Sequence, residues 1–191
     1  MALKLITPIS TEPITRAQVK QHLRLDINDN GEDNQIDTWI AAARTYGEGY
    51  TNRAFGTQTW ELSLDNFPCR GYIELPKAPL QGVASVKYID STTTENTMSD
   101  TDYIVDTRNE PGKIVLGYGK SWPSFTPAPV NAVIIRYICG YGGVSSIIPK
   151  TFIHAMLVHV GYMYKYRDVE IPKADMDSVN RIYYPDRIFT L

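Results

Sequence analysis

Hydrophobic periodicity changes twice along the chain, and this constrains the fold more than any single motif. Apolar residues recur at helical spacing near both ends and at alternate positions in between. Residues 14–25 read as a short helix, with Val19 and Leu23 four apart on one face. Thr15 followed three positions later by Gln18 has the pattern of a capping box. Residues 26–32, rich in Asp, Asn and Gly, read as a turn. From 33 to about 50, Ile36, Trp39, Ile40, Ala43, Gly47 and Tyr50 fall on one helical stripe. Gly47 and Gly49 each disfavour a helix by about 1 kcal/mol relative to alanine. Either a neighbouring helix approaches closely there or the helix frays after Tyr46. Asn52 is placed to stop it in a left-handed conformation.

The middle of the chain predicts strands at 57–64, 72–75, 83–89, 103–105, 113–115 and 132–138, with the last the most apolar and therefore central. Residues 109–112 predict a hairpin turn, and the proline-rich stretch 117–129 a long loop. Helical spacing returns at Pro149, expected in the first turn, with Phe152, Ile153, Met156, Leu157, Val160 and Tyr164 on one stripe. A last short helix is predicted over 174–183, and an extended segment after it. The expected fold class is α+β: a small bundle built from N- and C-terminal helices, with an antiparallel β region inserted. In this reading 1–56 is the first helical half, 57–139 the insertion, and 140–191 the second helical half with its tail.

Composition narrows the function. With 19 basic against 21 acidic side chains and a formal net charge of −2, the chain lacks the basic surplus of a dedicated nucleic-acid binder. Cys69 and Cys139 show no paired spacing, so a disulfide framework is not expected and a reducing compartment fits. The first residues are too short an apolar run for a signal peptide.

No catalytic or metal constellation emerges, and no cofactor is expected. His154 and His159 lie about 140° apart around a helix and cannot chelate one ion together. There is no GxSxG, and the glycines of 140–143 lack the lysine of a phosphate loop. Asp26, Asn28, Asn30 and Gly31 match the opening of a calcium loop, but Asp37 stands where the bidentate glutamate belongs, so a plain polar turn is expected. The thirteen tyrosines are the unusual count. Tyr183 and Tyr184, with Ile188 and Phe189 beyond Pro185, form an apolar tail suited to docking on another chain. That points to an assembly part rather than an enzyme. A second reading is a recognition module that binds protein or glycan through Trp60, Trp122 and tyrosines of the strand region.

The order of residues resembles the tailed-phage head–tail connector (adaptor) proteins. The opening is carried by Ile14-Thr-Arg-Ala-Gln-Val-Lys-Gln-His-Leu-Arg-Leu-Asp26, Ile36-Asp-Thr-Trp-Ile-Ala-Ala-Ala-Arg44 and Tyr50-Thr-Asn-Arg53. Thr57-Gln-Thr-Trp60, Ile73-Glu-Leu-Pro76, Pro79-Leu80, Tyr103, Val105-Asp106 and Arg136-Tyr-Ile-Cys-Gly-Tyr-Gly142 are similar to the subgroup with a β insertion, and 149–166 to its third helix. The resemblance implies a structural ring of about a dozen copies, closed head-to-tail, below the portal of a DNA-filled capsid. Its partners would be further copies of itself, the portal protein, and a stopper or tail protein, with DNA passing through without specific binding. Its place would be the head–tail junction of a virion, and the host cytoplasm during assembly. By the same resemblance Tyr183, Tyr184, Ile188 and Phe189 are the expected portal anchors. On the helical stripes, Trp39, Gly47, Tyr50 and Tyr164 are the expected helix-packing or subunit-interface residues. The chain departs from the family in Gly47 and Gly49 and in its tyrosine-rich tail.

Overall fold

The structure, a computed structural model, describes residues 1–142 and 147–189. The chain folds into two units: one is formed by Met1–Ile9 with Thr57–Gly140, the other by Ser10–Gly56 with Tyr141–Leu191. Its class is α+β.

In the first unit β1 (Ala2–Thr7), β2 (Gln58–Leu64), β4 (Leu80–Ile89), β5 (Glu95–Thr97) and β8 (Val133–Cys139) form one antiparallel sheet in the order β1-β2-β8-β4-β5. β3 (Tyr72–Glu74), β6 (Tyr103–Asp106) and β7 (Lys113–Leu116) form a second, in the order β3-β7-β6. The most apolar strand, β8, is central, as its composition predicts. Val133, Ile135, Tyr137 and Cys139 alternate into the core, whereas Arg136 faces outward and pairs across the ladder with Glu61 at 2.7 Å. Leu62, Ile135 and Val86 lie in register across β2, β8 and β4, and all three are completely buried. Tyr137 keeps its phenol satisfied by donating to the Pro76 carbonyl at 2.8 Å, and burial pushes its pKa up.

Two strands lie outside the sequence expectation. β5 is only three residues long. β1 alternates poorly and is mostly exposed, as an edge strand can be, and it carries the first residues of the 1–56 segment into the sheet by pairing with β2. The turn between β6 and β7 closes where predicted. Gly112 is required there, since a Cβ at that position would sit 2.4 Å from the Leu80 Cβ.

The second unit contains α1 (Arg16–Leu23), α2 (Asp33–Thr51), α3 (Lys150–Lys165) and α4 (Lys173–Tyr183). Thr15 caps α1, and Gln18 reciprocates by accepting from the Thr15 N–H at 2.8 Å, which completes the capping box. Pro149 is the residue before the first helical turn of α3 rather than part of that turn, and its carbonyl accepts from Phe152. α2 does not fray at Tyr46. It runs to Thr51 and stops at Asn52, whose φ of 57° is the left-handed stop expected of it. The core gathers Ile14, Val19, Ile36, Ile40, Ala43, Phe55, Phe152, Met156, Val160, Val179 and Tyr183 from all four helices and their approaches.

Candidate docking surface

The C-terminal segment is ordered by the end of α2. After α4 the chain makes a 3-10 turn over Tyr184–Asp186, where an extended segment was expected, and then runs back along Thr51–Arg53. The Ile188 N–H donates to the Thr51 carbonyl at 2.9 Å, and the Asn52 side chain donates to the Ile188 carbonyl at 2.8 Å. Arg53 Nε donates to the Asp186 carbonyl at 2.6 Å, and the Thr151 hydroxyl reaches the Asp186 carboxylate. Three of these bonds depend on the left-handed residue that ends α2 and on its two neighbours. A single local feature thus stops the helix and seats the tail.

This arrangement sorts the four expected anchors. Tyr183 is completely buried, with its ring 6.0 Å from that of Phe55 and 5.9 Å from that of Phe152, so it is a core residue and not a surface anchor. Burial raises its pKa, and the hydroxyl has no hydrogen-bond partner among the described residues. Ile188 is half-buried and held by its backbone. Tyr184 and Phe189 remain exposed, at 58% and 62%, and meet edge to face at 6.2 Å. Thr190 and Leu191, the last two residues of the expected tail, lie outside the described residues, as does Gly143 of the glycines at 140–143.

The other expected residues, Trp39, Gly47, Tyr50 and Tyr164, all make contacts within this unit. Gly47 lets Tyr183 and Phe55 approach α2: a Cβ there would lie 2.6 Å from the Tyr183 hydroxyl and 2.8 Å from the Phe55 ring. Gly49 faces open space and answers no such need. Trp39 meets Tyr164 edge-on at 5.9 Å, and the Arg167 guanidinium lies over both rings. Tyr50 lines an open depression of about 230 Å³ with Asp177, Asn180, Arg181 and Tyr184. Arg187, which no sequence pattern singled out, stacks on Tyr50 and Phe189 beside it.

Two polar groups of this unit, Lys20 and His159, are buried in it. The ammonium of Lys20, a residue only 4% exposed, fills the acidic turn after α1. It reaches the Asp33 carboxylate and the Asp29 carbonyl, each at 2.6 Å, with the Ile27 carbonyl and Asn30 Oδ1 at 3.4 Å. The turn that opens like a calcium loop therefore carries its own cation. One turn away, Arg16 pairs with Asp33 and Asp37, so two cations of α1 clasp two carboxylates of α2. The Lys20 hydrogen bond holds the Asp33 carboxyl below its ordinary pKa, and that of Arg16 does the same for Asp37. His159 is buried, its ring 4.9 Å from that of Tyr46 and its Nδ1 unpartnered among the described residues. Burial lowers its pKa to about 4. His154 is exposed.

In the β unit Trp60 donates to Gln58 and lies beneath Lys77. Trp122 instead stacks on Phe67 at 4.9 Å in a half-buried cluster with Tyr88 and Phe125. The two tryptophans thus have separate partners. Cys69 is exposed and Cys139 buried, and neither forms a disulfide. Among the described residues no three His, Cys, Asp or Glu side chains are grouped to hold a metal, and no helix is long and apolar enough to cross a membrane.

No protein-family model matches the sequence, and no curated protein matches it. Solved structures do. The chain superposes along its whole length on 97% of a chain from the neck of an empty gene transfer agent (GTA) particle computed with C6 symmetry, at a TM-score of 0.84 and 20% identity. It covers 97% of a chain from the virion of a native gene transfer agent particle, at 0.81 and 21% identity. It covers 98% of a chain from the neck of a native GTA particle computed with C12 symmetry, at 0.75 and 20% identity. At that identity the likeness is one of fold: this chain has, from end to end, the α+β architecture of those gene transfer agent particle chains.

Proposed function

We propose that this chain is a head–tail connector of a tailed phage, prophage or related particle. In this reading it forms a ring below the portal and joins the capsid to the stopper or tail around the DNA channel. The observation that carries the reading is the end-to-end likeness to chains of particle necks, with both units matched and almost no residues left over on either side. Neck structures computed with sixfold and twelvefold symmetry support a ring, whose copies would meet through two different faces closed by rotation. Such a role asks for complementary surfaces and needs no bond-making centre. A near-neutral chain also suits a channel through which DNA must slide, because a basic lining would hold phosphates.

Within this role, the exposed pair Tyr184 and Phe189 is the surface that docks on the portal, while Tyr183 and Ile188 hold the segment that presents it. Deleting 184–189 would also remove the hydrogen bonds at the end of α2, so the better test replaces the exposed rings alone. Tyr184→Ala with Phe189→Ala is expected to leave the melting temperature within a few degrees and to weaken binding to the portal protein of the same particle by about tenfold or more. Unchanged binding by the double variant would remove this surface from the mechanism.

A further inference from the structure

Arg187 stands out at this end of the molecule. Its guanidinium carbon lies 4.7 Å from the centre of the Tyr50 ring and 5.1 Å from that of Phe189. Its Nε is buried without a hydrogen-bond partner, and among the described residues the side chain makes no ion pair. An aromatic face attracts a cation but offers it no lone pair, and with Nε covered the donors left for a partner are the two outer Nη groups of Arg187. A half-buried arginine steadied by two rings has already given up much of its rotamer freedom, which makes it a preorganised anchor. The group it matches in geometry as well as charge is a carboxylate, bound through two parallel N–H···O bonds.

We propose that Arg187 is the specificity anchor of the docking surface and takes a side-chain carboxylate from an acidic segment of the partner protein, with an apolar neighbour of that carboxylate resting on Tyr184 and Phe189. The proposal rests on the docking role assigned above to this surface. The surroundings favour a single carboxylate over a polyphosphate. Arg181 and Asp177 line the adjoining depression together, and Asp186 precedes Arg187, so the local charge is nearly balanced. A nucleic-acid backbone would meet those acids as well as the arginines, whereas one Asp or Glu can seat against Arg187 alone. The two exposed rings supply apolar area of the kind that centres a protein interface.

The test uses the full-length chain in two arms. In the first, the Arg187 Nε–H resonance is followed while adding acetyl-Ala-Leu-Glu-Leu-amide, the same peptide with Gln for Glu, or a 20-base-pair DNA duplex. The Glu peptide alone is expected to shift it. No response to the Glu peptide, an equal response to the Gln peptide, or a preferential response to the duplex overturns the proposal. In the second arm, portal binding is compared for the wild type, Arg187→Gln and Arg187→Lys at matched melting temperature. Arg187→Gln is expected to lose about 30-fold or more, and Arg187→Lys to recover only part of that, because a lysine keeps the charge without the fork. Wild-type affinity in Arg187→Gln overturns the proposal and leaves the connector reading intact. A wild-type chain that answers the Glu peptide but ignores the portal keeps the carboxylate site and removes the portal as its partner.

Discussion

Single side chains carry two functions here that look alike in sequence: holding the helical unit together and presenting its surface. Lys20 is the clearest case of the first. Its ammonium is surrounded by carbonyl and carboxylate oxygens in a turn that would otherwise gather like charges. Replacing it with methionine leaves those oxygens facing an apolar chain, so Lys20→Met is expected to lower the melting temperature by about 5 °C or more, measurable by calorimetry. His159 gives the stability a pH dependence with a definite sign. Its folded pKa of about 4 lies below the ordinary 6.5, so the unfolded chain takes up the proton first. Its contribution is complete above about pH 6.5 and is lost as the pH falls toward 4, amounting to about 2 kcal/mol once residual solvent screening is allowed for. Denaturant titrations at pH 6.5 and 5 are expected to show this loss, and His159→Gln to flatten it. Wild-type stability that is constant over that interval would contradict the burial of the ring.

At the level of elements, α2 links packing to presentation. Gly47 is a packing requirement and Gly49 is not, so the two glycines are expected to respond to alanine in opposite ways. Gly47→Ala pushes a methyl group into Tyr183 and Phe55 and should destabilise by about 1–3 kcal/mol despite its better helix propensity. Gly49→Ala meets only solvent and should stabilise by about 0.5–1 kcal/mol; urea unfolding of the two variants checks both. Long periodic elements were legible in sequence. The stripe of α2, its left-handed stop at Asn52, the box at Thr15 and the central β8 all follow from local spacing and cap chemistry. β1 and β5 were not, because one is an exposed edge strand and the other is three residues long, and neither needs an alternating face. The seat of the tail was half legible. Asn52 reads as a helix stop, but its side-chain bond to Ile188 spans 136 positions and leaves no mark in local pattern. The same holds for Arg187 on Tyr50, and for Tyr183, which looks like a tail residue in sequence and turns out to belong to the core.

For the whole molecule, the two units are built from chain segments that interleave, since the strand β1 precedes the first helical segment and the main β region separates the helices. The fold that contains this interleaving is shared along nearly the full length of the gene transfer agent particle chains. Such an order is carried in the sequence by many weak residue matches in series and by no single motif. The most direct measurement is cryo-electron microscopy of the neck of particles made by a host that carries this gene. The proposal expects density for both units repeated around a closed ring between portal and tail, with Tyr184 and Phe189 turned toward the portal. Complete, tailed particles whose neck lacks this polypeptide would contradict it.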